Sequence, residues 1–181
     1  MVSQFKFEEE SFTPVFNKEK RSNFLADAET LSTVLYNLET VGITDYRVKI
    51  NDFNIIESIL EGYGFGEEDY SQIFFLFGLM SIVGRVGVIK EIKQRNFSAD
   101  ASARLVGYIL RTKVIQEQNI CDELTLTDMV PPEISKETRQ SLLNLTASVP
   151  EVYREKMCYS PFLTKGISSG TGIVFEISYP D

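Results

Sequence analysis

The residues from Ile73 to Ile89, IFFLFGLMSIVGRVGVI, form the one stretch in which apolar side chains run through every face of a helix, so any fold of this chain has to be built around them. The run predicts a buried spine with Phe75 and Leu79 inside. From Ile73 to Gly84 twelve residues carry no charge. At about 1.5 Å of rise per residue they reach roughly 18 Å, short of the ~30 Å hydrocarbon layer of a bilayer. Arg85, Lys90 and Lys93 then close the window, so the expectation is a buried helix and no membrane span. Gly78 suits a close helix contact, whereas Gly84 and Gly87 suit a break, placed near Gly84, ahead of a second element from Val86 to Ile92.

The chain before the spine divides in two. Residues 1–21 read as an extended arm in which Phe5-Lys6-Phe7 alternates, Glu8 to Glu10 follow, and Phe12 and Phe16 flank Pro14. Four phenylalanines, each worth about 2 kcal/mol when buried, need a groove. It is offered either by the same molecule, with residues 5–7 as an edge strand, or by a neighbouring subunit. Residues 22–181 are expected to form one domain, because 181 residues with 43% hydrophobic content can bury a core without disulfides or a metal.

Local signals place the elements of that domain. Ser22 or Asn23 caps a helix carrying Phe24, Leu25, Ala28, Leu31, Leu35 and Leu38 on one face, ended by Gly42. Residues 43–50 alternate, with Tyr46, Val48 and Ile50 against Asp45, Arg47 and Lys49, which is the pattern of a half-buried strand. Asp52 caps a short helix of Ile55, Ile56, Ile59 and Leu60 that stops at Gly62. The carboxylates Glu67, Glu68 and Asp69 suit the first turn of the spine helix. After the spine, Ser98 caps a helix from Ala99 to about Gln118, and residues 119–134 read as a connector ending in Pro131-Pro132. Ser135 starts another helix, Pro150 a short one, and Ile173 to Ile177 reads as a last strand. The fold class is therefore mainly α within α+β: a helical single domain with a small sheet from segments near the N-terminus, 43–50 and the C-terminus.

What the chain lacks limits its chemistry more than what it has. There is no histidine, which removes Ser-His-Asp and Cys-His pairs, histidine metal sites and imidazole acid–base work. Two cysteines, Cys121 and Cys158, cannot fill a four-cysteine zinc site. No metal or cofactor is expected. The glycines from Gly62 to Gly66 follow a helix instead of a strand and precede no Gly-Lys-Ser/Thr triplet, so they read as a turn and not a phosphate cradle. The N-terminus MVSQFKFEEE has no basic region followed by an apolar one, so free thiols in a reducing, cytoplasmic setting are the expectation.

Charge supplies the remaining signal. Between residues 85 and 113 stand Arg85, Lys90, Lys93, Arg95, Arg104, Arg111 and Lys113 against Glu91 and Asp100, a local +5 that leaves −13 to the rest of a chain whose total is −8. Such a belt either solvates a helix face, or meets RNA or DNA phosphates, or pairs with an acidic partner. Only Phe97 and Tyr108 lie inside it for base stacking. With a chemistry-poor core and Phe-rich ends, the sequence points first to a non-enzymatic, structural interaction or assembly subunit. Its partner would be a protein, itself or another, met through Phe5, Phe7, Phe12, Phe16 and the belt. A nucleic-acid-contacting protein using belt 85–113, and an enzyme with a histidine-independent carboxylate or Cys/Lys/Tyr site, rank behind it.

Overall fold

The computed structural model describes residues 24–112, 121–164 and 172–179. The proposed arm, including Phe5, Phe7, Phe12 and Phe16, therefore lies outside the described residues, as does Lys113. In chain order the elements are α1 (Phe24–Thr40), β1 (Arg47–Asp52), α2 (Phe53–Tyr63), α3 (Glu67–Gly78), α4 (Met80–Gln94), α5 (Ala99–Arg111), α6 (Glu123–Met129), α7 (Lys136–Ser148), α8 (Glu151–Arg154), β2 (Met157–Tyr159) and β3 (Ile173–Ser178). This is the mainly helical α+β architecture expected of the sequence, with one small sheet.

The sheet has the order β2-β1-β3, with β1 parallel to β2 and antiparallel to β3. Strand alternation divides its residues between two faces. Val48 and Ile50 of β1 align with Met157 and Tyr159 of β2, and all four are fully buried. Lys49 falls between them on the opposite face. Helix α1, with Leu31 and Leu35 fully buried, packs on α7, α3 packs on α4, and α4 and α2 both pack on α5. The strand expected over 43–50 begins and ends a few residues later, and the third member of the sheet is β2, a segment without a strand signal in the sequence.

Capping chemistry accounts for several boundaries. Asp52 accepts a hydrogen bond from the Asn54 backbone N–H at 2.9 Å, and Ser135 Oγ accepts one from the Thr138 N–H at 3.1 Å. Gly64, at φ +89°, ends α2 in the left-handed conformation that a side chain would strain. Residues 119–134 are less plain a connector than expected. Asp122 caps α6 by accepting from the Thr125 N–H at 2.7 Å, ahead of Pro131-Pro132.

The spine departs most from expectation. It is two helices, α3 ending at Gly78 and α4 starting at Met80, with a second break inside α4 at Gly84, whose φ 67° and ψ 175° are non-helical. The break near Gly84 agrees with the sequence expectation; the exposure of its surroundings does not. Ile73, Phe74, Leu76 and Phe77 are buried, but Phe75 is 60% exposed, Ile82 76% and Val86 83%. Phe75 is thus not core. The reason is geometric: Ile73, Leu76, Phe77 and Phe74 fill the inward arc of α3, and position 75 falls on the other side of a 3.6-residue turn.

Two measurements follow from this packing. Leu76→Ala, which empties a fully buried site, is expected to cost about 2–5 kcal/mol in a denaturant melt, whereas Phe75→Ala is expected to stay within about 0.5 kcal/mol of wild type. The second concerns Asp52. It is fully buried, and burial holds its carboxyl above the usual carboxylate range despite the bonds from Asn54. Because the folded-state value is the raised one, the folded protein prefers the protonated acid. The stabilising contribution is complete below the unfolded value and is lost as pH rises through the folded one. Asp52→Asn keeps a capping acceptor and removes the charge. Its urea midpoint should exceed wild type at pH 7, with the gain shrinking as pH falls toward about 4.

Candidate functional site

Register, and not sequence proximity, builds a polar row on the face of the sheet opposite Val48 and Ile50. Lys49 aligns with Cys158 on one side and Glu176 on the other. The Lys49 ammonium donates to Glu176 Oε1 at 3.1 Å, a pair whose side chains are 40% and 32% exposed. At that exposure the pair contributes on the order of 0–1 kcal/mol. Beside it, burial raises the Cys158 thiol above its ordinary pKa while the positive charges of Arg47 and Lys49 pull it back down.

This row is one wall of a cleft of about 280 Å³. The other walls are Phe77 and Gly78 at the end of α3, Met80 and Ser81 at the start of α4, and the turn containing Ser160, Phe162, Leu163 and Thr164. The turn is fastened from three directions. The Ser160 N–H donates to the Ile50 carbonyl at 2.9 Å, Asn51 Nδ2 donates to the Leu163 carbonyl at 3.1 Å, and the Thr164 hydroxyl donates to the Phe74 carbonyl at 2.9 Å. Phe162 meets Phe77 edge-on at 5.0 Å and Tyr108 at 5.7 Å between ring centroids. Arg85 lies 5.5 Å above the Phe162 ring and donates to the Ile109 carbonyl at 2.8 Å. The cleft therefore has a rigid floor, an apolar end and a cation–carboxylate pair at the sheet.

The basic belt of the sequence falls on the hairpin of α4 and α5. Arg85 points inward, as just described, and acts as a clamp between α4, α5 and Phe162. Lys90 and Lys93 lie on the solvent face of α4 with Val86, opposite the buried Val88 and Ile92. Arg95 follows the helix end and donates to Gln72 Oε1 at 3.2 Å. On α5, Arg104 is exposed and bonds Asp100 at 3.0 Å, and Arg111 is exposed with its guanidinium 5.7 Å from the Tyr108 ring. Phe97, a stacking candidate within the belt, is half-buried against Phe65 at 5.4 Å, and Tyr108 is buried.

Lys49, Glu176 and Cys158 carry no signal as a site in the sequence. Alternation in 43–50 puts Lys49 on the polar side of a strand, and the last strand holds Glu176, yet only the observed register joins residues 127 apart in sequence.

Comparisons with known proteins bear on what such a site does. No protein-family model matches the chain. A histidine–tRNA ligase from Leifsonia xyli subsp. xyli is 26% identical over 165 residues, which are 86% of this chain and 36% of that protein. One from Pyrobaculum islandicum is 25% identical over 152 residues, 83% of this chain and 34% of that protein. Among solved structures, histidyl-tRNA synthetase from Nostoc sp. PCC 7120 superposes with a TM-score of 0.68 at 16% identity, over 88% of this chain and 38% of that one. An ATP phosphoribosyltransferase regulatory subunit/histidyl-tRNA synthetase from Bacillus halodurans C gives 0.62 at 17%, over 86% and 39%. The chain thus spans about a third of the length of the relatives it matches and shares the fold of the corresponding part of the two structures.

These similarities overturn the expectation of a non-enzymatic structural or assembly subunit. The relatives are tRNA ligases, a class that no motif in the sequence points to. Among the described residues no helix is long and apolar enough to cross a membrane.

Proposed function

We propose that this chain is a domain of histidine–tRNA-ligase type whose α4–α5 hairpin contacts RNA. The observation that carries the reading is the ligase similarity over 86% of the chain, which runs through the hairpin on which the belt cations stand. Lys90, Lys93, Arg104 and Arg111 are exposed on the outer faces of two packed helices, where they can approach a polyanion without burying charge. The aromatic rings within the belt are tucked into the fold, so the contact is with phosphates and not with stacked bases.

A second reading applies to the cleft of the same domain, because Lys49 and Glu176 offer a cation and a carboxylate 3.1 Å apart on its wall. A small zwitterion, histidine in the ligase sense, would set its carboxylate toward Lys49 and its ammonium toward Glu176. The apolar end formed by Phe77, Met80 and Phe162 would hold its side chain.

Binding of a tRNA transcript measured by fluorescence anisotropy tests the first reading. Combined reversal at Lys90, Lys93 and Arg104 to glutamate is expected to weaken binding by about tenfold or more at low salt and to flatten the dependence of log affinity on log salt by roughly 0.7–0.9 for each phosphate that is no longer neutralised. Binding that ignores both reversal and salt would remove RNA from the account. For the cleft, calorimetric titration with histidine should give heat that Lys49→Ala abolishes, and titrations without heat in the wild type would reject that ligand.

A further inference from the structure

We propose that residues 79–83 are a cover over the cleft that swings on Gly84. Met80 and Ser81 line the cleft from above. On one side the segment ends at Gly84, whose φ 67° and ψ 175° fall in a region open only to glycine. On the other it ends at Gly78. Beyond the hinge the chain is held fast: Arg85 is bonded to the Ile109 carbonyl and seated over Phe162, and Val88 and Ile92 are fully buried. Before Gly78, Phe77 and Leu76 are core. Between the two glycines Leu79 and Met80 lean on the core while residues 81–83 are exposed, so the far end of this single turn is the part left to move.

The exposed end of that turn is apolar. Ile82 is 76% exposed and Val83 46%, an arrangement that gains nothing where it stands and would gain burial over an occupied cleft. Val83 rests on Gly87, where an added Cβ would lie 2.7 Å from the Val83 Cβ, so Gly87 is the seat of the cover in its present position. The proposal rests on the reading of the cleft as a small-ligand site. Closing the turn would expel water from around Lys49 and Glu176 and strengthen their hold on a charged ligand.

Cys158 lines the cleft and reports whether it is covered, while Cys121, 2% exposed with its thiol pushed up to about 12 by burial, serves as the silent control. In the wild-type protein, amide exchange over residues 80–86 should run at least about tenfold faster than over 88–92, because opening is local. Gly84→Ala, which disfavours the present turn, and Gly87→Ala, which lifts Val83 from its seat, should each release the turn toward the cleft and lower the rate of Cys158 labelling by N-ethylmaleimide about threefold or more with the thermal melt retained. Equal exchange protection across 80–92 in the wild type overturns the cover whatever the variants do, and so does labelling at the wild-type rate in a folded variant. Added histidine separates the two ideas. Slower exchange over 80–86 supports both cover and ligand, whereas fast exchange that histidine leaves unchanged retains the cover and rejects that ligand.

Discussion

Strand β1 is held by two unlike ladders, a parallel one to β2 and an antiparallel one to β3, and both registers are set by what lies beneath it. Val48 and Ile50 are wholly buried with Met157 and Tyr159 on one face. A slip by one residue would put Lys49 into that core and Val48 into water, at a cost no other contact offsets. The row of Cys158, Lys49 and Glu176 on the far face is the mirror of this burial. Hydrophobic packing on one side of a six-residue strand thus places the charged groups of the cleft on the other.

The parallel pair also dictates the topology. Two parallel neighbours need a crossover, and here the crossover from β1 to β2 contains helices α2 to α8. The hairpin of α4 and α5 is part of that excursion, and Arg85 ties it back over Phe162 to the turn that follows β2. The cleft and the hairpin therefore share Phe162, which both Arg85 of α4 and Tyr108 of α5 meet.

Much of the frame is legible in the sequence because it depends on near neighbours along the chain. Asp52 and Ser135 announce caps within three residues, and alternation around Val48 and Ile50 announces a strand. The site is not legible, because it depends on pairings across 109 and 127 positions that no local pattern encodes. Strand β2 is three residues long and follows Pro150 and Tyr153 in what reads as helix, so its strand character comes wholly from pairing with β1. Phe75 is misplaced for a different reason: a run apolar on all faces hides which arc is inward, and the neighbours of α3 decide it. The belt is visible as charge, yet Arg85 is indistinguishable in sequence from Lys90 although one clamps the core and the other meets water.

The absence of histidine gives the cleft a narrower role than its lining suggests. Tyr159, at the cleft, is driven by burial further from ionising near neutral pH, so it offers no proton acceptor there. Cys158 is raised as well. What remains at the cleft is an ammonium and a carboxylate already neutralising one another in partial contact with solvent. Such a pair is poor at moving protons and well suited to holding opposite charges. It contributes little to folding, on the order of 0–1 kcal/mol, so a ligand that inserts between the two groups gives up little when they part. For a ligand held between Lys49 and Glu176, what these two groups supply is orientation and electrostatic complementarity.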